Sequence, residues 1–138
     1  MTNYKQVELY QNRAKLFARI GFGGMMIPHG ISKLQDALSG AEIIFPDPLG
    51  IGSPLSLYLT IFAELLCAIL VVVGWKTQWA SVPLVITMMV AAFIIHADDP
   101  WGRKEFALLY LIGYIVILFQ GGGKFSLDQY LSNRKKRK

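Results

Sequence analysis

The chain has 138 residues, of which 54% are hydrophobic and only 17% charged, with a formal net charge of +5. A soluble domain is usually about 45–50% apolar and roughly 25% charged, so this balance excludes a disordered chain and argues against a nucleic-acid binder despite the basic excess. A single cysteine excludes a disulfide framework and any cysteine-based zinc or iron–sulfur centre within one chain.

Taken in chain order, residues 1–13 form a polar N-terminal segment, and the first apolar block, Ala14–Ser32, follows with Lys15, Arg19 and several glycines inside it. Arg19 interrupts the apolar run, and Ile27-Pro28-His29-Gly30 has no small-x-small pattern, so the block reads as a retained helix rather than a cleaved signal peptide. Loop 35–54 comes next, irregular because Pro46, Pro48, Gly50, Gly52 and Pro54 crowd its second half. Leu55–Trp75 is apolar except for Glu64, Thr77–Ala97 is uncharged, and so is the run from Phe106 to Gly123. Crossing a hydrocarbon core of roughly 30 Å takes about 20 apolar residues, and period-2 alternation is absent, which argues against a membrane β-barrel. The expectation is an all-α, integral-membrane antiparallel four-helix bundle over residues 14–130, with helices near 14–34, 55–75, 78–97 and 105–121. A basic tail, 131–138, closes the chain.

Basic residues gather on one side: Lys5, Arg13 and Lys15, then Lys76, then Lys124 and Arg134-Lys135-Lys136-Arg137-Lys138. The other two connections hold Lys33 against Asp36, Glu42 and Asp47, and Arg103 and Lys104 against Asp98, Asp99 and Glu105. The positive-inside rule therefore places both termini in the cytoplasm, where the tail also meets anionic lipid. Trp75, Trp79 and Trp101 fall at helix ends and read as interfacial anchors.

An ionisable group at membrane depth costs about 2.5–3.5 kcal/mol on insertion scales and invites a functional reading. Arg19, His29, Glu64 and His96 are such groups, with Lys33 and Glu105 at the boundary. A rise of about 1.5 Å per residue puts Arg19 roughly 15 Å below His29 and Glu64 about 13 Å below the outer surface, so Arg19 and Glu64 are expected to form an intramembrane ion pair. At about 100° per residue, Arg19, Met26, His29 and Lys33 share a sector of roughly 80° facing the bundle interior. His29, Lys33, His96 and Glu105 then converge at one depth as a candidate quinone or proton-relay site. The plainer readings stand beside it: histidines donating to carbonyls, Lys33 snorkelling, Cys67 as packing, and Gly21, Gly23 and Gly24 allowing close helix approach.

The chain resembles the DoxX family of small membrane proteins. The resemblance rests on Ala18-Arg19-Ile20, His29-Gly30-Ile31-Ser32-Lys33-Leu34, Ala63-Glu64 with Gly74, Ala91-Ala92 with His96, Glu105-Phe106-Ala107, and the closing Gly121-Gly122-Gly123-Lys124-Phe125-Ser126-Leu127-Asp128. It implies a four-helix protein of the bacterial cytoplasmic membrane, in a family named for membrane subunits linked to thiosulfate–quinone oxidoreduction. One functional reading is a subunit of a quinone-linked redox or respiratory complex, not an autonomous enzyme. The other is a non-enzymatic accessory subunit docking on a larger membrane complex. The chain has no Cys-x-x-Cys and no nucleotide-binding glycine motif in a strand–helix context, so flavin or nicotinamide chemistry falls to a partner. A third reading, His29 and His96 as axial haem ligands or as metal ligands with Glu105, has no supporting spacing.

Overall fold

A computed structural model of the chain describes residues 2–136. All regular structure among these residues is helical: α1 (residues 2–38), α2 (Ser53–Val73), α3 (Thr77–Ile95), α4 (Trp101–Gln120) and α5 (Leu127–Lys135). The largest differences from the sequence expectation are in α1, α4 and the basic tail. α1 begins at residue 2 rather than 14 and continues through Leu38, because nothing between Ser32 and Leu38 breaks a helix. α4 begins at Trp101, directly after Pro100, whose missing N–H costs nothing at a helix start. The basic tail is helical through Lys135, while Arg137 and Lys138 lie outside the described residues.

The helices pack in sequence, α1 on α2, α2 on α3 and α3 on α4, and α4 returns to the middle of α1. Gly23 and Gly30 set the α1–α2 seam. A Cβ on Gly23 would meet Val72 at 2.7 Å, and one on Gly30 would meet the Leu65 backbone nitrogen at 2.7 Å. Small residues bring membrane helices together in this way. Gly21 and Gly24, expected to do the same, face open space. The core centres on Val71, Leu84, Met88, Tyr114 and Ile117. Cys67 is buried within it as a packing residue.

On the opposite faces, large apolar side chains are exposed at helical spacing. They are Phe62, Leu66, Ile69 and Val73 on α2, Val82, Ile86, Met89 and Phe93 on α3, and Leu109, Ile112, Val116 and Phe119 on α4. A soluble monomer rarely shows contiguous apolar patches beyond a few hundred Å², so these stripes belong against lipid. Both α2 and α3 are long and apolar enough to cross a membrane.

Three helices contain a π-helical turn: Arg19–Gly23 in α1, Phe62–Cys67 in α2 and Ala91–Ile95 in α3. Such bulges concentrate at functional sites. Here they hold Arg19 and Glu64 and lead directly into His96. Pro28 and Pro83 each sit inside a helix without ending it.

Candidate functional site

Polar residues gather at both ends of the helix cluster. At the tail end, α2 stops at Gly74, which adopts the left-handed conformation (φ 76°) that a glycine reaches at little cost. The carbonyls this ending exposes meet Arg19, buried to 1% relative exposure. Its guanidinium donates to the carbonyl oxygens of Val71 (3.2 Å), Val72 (2.9 Å) and Phe125 (2.6 Å). A cation at a helix C-terminus also meets the negative end of the helix dipole. Asp128 completes the clasp, accepting from the backbone N–H groups of Lys76 (2.8 Å) and Thr77 (3.2 Å) and so capping α3 from 51 residues away. Its own N–H donates to the Gly74 carbonyl (3.0 Å). Ser126 caps α5, and Asn12 Oδ1 accepts from the Lys124 N–H (2.7 Å). The closing Gly-Gly-Gly-Lys-Phe-Ser-Leu-Asp segment thus serves as a latch on the α2–α3 turn, a role the sequence did not suggest.

The expected Arg19–Glu64 pair does not form. Glu64 pairs with Lys33 instead, Nζ to Oε2 at 2.6 Å. The cause is register. Gly30 stands beside Glu64 and Leu65, while Gly23 stands beside Ala68 and Val72. Arg19 is therefore level with Val71–Gly74, about seven residues or roughly 10 Å along α2 from Glu64. The depth estimate set His29 level with the outer surface, whereas α1 continues through Leu38, beyond the expected end near residue 34, and carries Lys33 to the level of Glu64.

At the loop end two cavities adjoin. One, of about 210 Å³, is walled by His29, Glu64, His96, Arg103 and Tyr110 with Met26, Met88 and Phe106 among its apolar contacts. The other, of about 230 Å³, lies under the Pro46–Pro48 stretch and reaches Lys33, Ser56 and Thr60; Glu64 and His96 line both. His29 lies edge-on to the rings of Phe106 and Tyr110, each at 6.4 Å between centroids. His96 Nδ1 meets Asp99 Oδ2 at 2.7 Å, which leaves Nε2 for the cavity, and Arg103 stands 3.6 Å from the same carboxylate. That hydrogen bond from His96, helped by Arg103, holds the Asp99 carboxyl below its ordinary value. In the loop, Asp47 accepts from the Ser56 hydroxyl (2.8 Å) and from the N–H groups of Ile51 (3.0 Å) and Gly52 (2.7 Å). Those bonds hold its carboxyl low as well, the Ser56 contact most of all.

Of the four residues expected to converge, His29 and His96 share the first cavity and Lys33 lines the second. Glu105 does not join them: it is exposed and lines neither cavity, because the α4 face that turns inward bears Ala107 and Tyr110, with Arg103 and Phe106 exposed at the cavity rim. That spacing of three, four and seven was the signal that would have found Arg103 and Tyr110. Glu64 belongs to this end and not to Arg19. Among the described residues no group of three or more His, Cys, Asp or Glu side chains could hold a metal ion.

The sequence model of the DoxX family matches residues 14–97. An uncharacterized membrane protein of Mycobacterium tuberculosis is 34% identical over 116 residues, covering 67% of this chain and 71% of that protein. An uncharacterized protein of Haemophilus influenzae is 29% identical over 89 residues, covering 61% of this chain and 59% of its own length. No solved structure matches the chain. Arg19, His29, Lys33, Glu64 and His96 all fall within the matched stretch, and the chain is a membrane protein that belongs to the DoxX family.

Proposed function

We propose that the chain is a four-helix subunit of the bacterial cytoplasmic membrane, with both termini inside, that offers a quinone-ring site to a redox or respiratory complex. The topology rests on the basic residues at the tail end and on the exposed apolar stripes of α2, α3 and α4. The site rests on one observation: His29, Glu64, His96, Arg103 and Tyr110 surround a single cavity with apolar walls. Pockets for drug-sized ligands run from about 300 Å³ upward, so a space of about 210 Å³ suits one ring and leaves an isoprenoid tail to the lipid. Quinone, when bound, supplies two-electron, two-proton chemistry, with the electrons exchanged through a partner subunit. His29, Tyr110 and Arg103 provide donors for ring oxygens. His96 Nε2, with Nδ1–H given to Asp99, accepts from a ring hydroxyl, and histidine suits proton exchange near neutral pH.

The test is binding of ubiquinone-1 to the full chain in lipid nanodiscs. Affinity is expected to fall about tenfold, or about 1.4 kcal/mol, in His96→Ala or His29→Ala with the fold intact. Unchanged affinity in both variants removes the site. The accessory-subunit reading draws on a separate groove at the loop end, where exposed Ile44 lies with Asp36 and Glu42. Gentle purification that yields a stoichiometric larger complex without quinone favours that reading.

A further inference from the structure

Glu64 stands on the wall between the two loop-end cavities. One side of it faces the ring site; the other faces the space under the Pro46–Pro48 stretch, where Lys33, Ser56 and Thr60 are found. We infer that Glu64 passes protons between the ring site and the loop-end surface, with Lys33 as its gate, an inference that rests on the ring-site reading above.

Three features carry it. First, the Glu64 side chain is 7% exposed yet borders both cavities, so it touches each compartment without being open to bulk water. Second, its counter-charge lies on one side only. Lys33 lines the outer cavity and not the ring site, and its side chain is 25% exposed. Neutralising the carboxylate therefore frees an ammonium on a four-carbon stem that already reaches the mouth and can snorkel outward. Third, Glu64 lies in a π-helical turn, the local irregularity that accompanies functional positions in helices.

Groups on every packed element face this carboxyl or share its cavities: His29 and Lys33 on α1, His96 on α3, and Arg103 and Tyr110 on α4. Asp47 holds Ser56 at the outer mouth. Lys33 is the one of these in direct ion-pair contact with Glu64. In the oxidising direction, Glu64 accepts a proton from a ring hydroxyl. An O–H bond forms on the carboxyl as one ring O–H bond breaks. Glu64 then gives the proton to water in the outer cavity as Lys33 returns. The second ring hydroxyl's proton follows by the same route once Glu64 has emptied, so that two protons match the two electrons taken by an electron acceptor of the partner subunit.

Infrared spectroscopy of the full chain in nanodiscs tests the gate without any ligand. Removing one partner of a buried pair leaves the other charge uncompensated, and such a group neutralises instead. Lys33→Met is therefore expected to add one protonated-carboxyl band at pH 7 that shifts in D₂O, and Lys33→Met/Glu64→Gln to lack it. No added band, or a band that survives in the double variant, overturns the inference. In a second arm, the change in ubiquinone-1 affinity between pH 5 and 8 is expected to be smaller in Glu64→Gln than in the unmodified chain, the remainder belonging to His29 and His96, which line the same cavity. Equal profiles overturn the relay. If ubiquinone-1 does not bind the unmodified chain at all, the ring-site reading fails, and the infrared arm still decides whether Lys33 gates a protonatable Glu64.

Discussion

At the tail end Arg19 directs its guanidinium at three backbone carbonyls and Asp128 accepts two backbone N–H groups. At the loop end Lys33 and Glu64 hold only each other, and two cavities open next to them. Both ends place charge at helix depth, which is costly. The tail end offsets that cost with hydrogen bonds that fix helix ends and a turn. The loop end leaves donors and acceptors facing space. Buried charge alone therefore does not mark a site: at the tail end it is bound to backbone groups, and at the loop end it lines cavities.

The strongest way to break this comparison is Arg19→Met. Each buried acceptor left unsatisfied costs about 1–3 kcal/mol, so a loss of about 3 kcal/mol or more is expected in denaturant unfolding in micelles. A change within about 0.5 kcal/mol, the scale of an ordinary surface substitution, would mean that the clasp contributes little. Next comes the seam that sets the register. Gly30→Ala forces a methyl against the Leu65 and Glu64 backbone and is expected to cost about 1–3 kcal/mol. Gly24→Ala meets nothing within 4 Å, and thermal unfolding should place it at or slightly above the unmodified protein. If the two glycines behave alike, the α1–α2 register described above is wrong.

The smallest effect is at the loop. The Asp47 carboxyl sits below its unfolded value of about 3.9, chiefly through the Ser56 hydroxyl. A depressed carboxyl contributes fully above the unfolded value and loses that contribution as pH falls through the folded one. Protection of the Ile51 and Gly52 amides from hydrogen exchange, corrected for intrinsic rate, should hold from neutral pH to about 5 and drop below about 4. Asp47→Asn should remove the dependence; a drop that persists in that variant assigns the titration elsewhere.

Apolar runs made α2 and α3 legible from the sequence, because a run apolar except for Glu64 that ends at Gly74, followed by an uncharged run after Lys76, leaves few alternatives. The extent of α1 was not, since residues 2–13 are polar and their helix shows no apolar run. The site was half legible. His29 and His96 could be placed from chain order alone, but the partner of Glu64 depends on which glycine of α1 touches which residue of α2. That contact is a property of packing, and three glycines lay close enough to mislead. Helical-wheel counting was further weakened by the π turn at Arg19–Gly23, which adds an offset between Arg19 and everything after it.

The remote cap on α3 has a consequence for biosynthesis. Asp128 leaves the ribosome 51 residues after Thr77, an interval of roughly 3–10 s at about 5–20 residues per second. Until then the α2–α3 turn has no cap, and Arg19 lacks the Phe125 carbonyl. This later-made segment therefore locks helices already in place, so a chain cut short before Lys124 should be seen by quality-control proteases as unfinished even with its apolar spans complete.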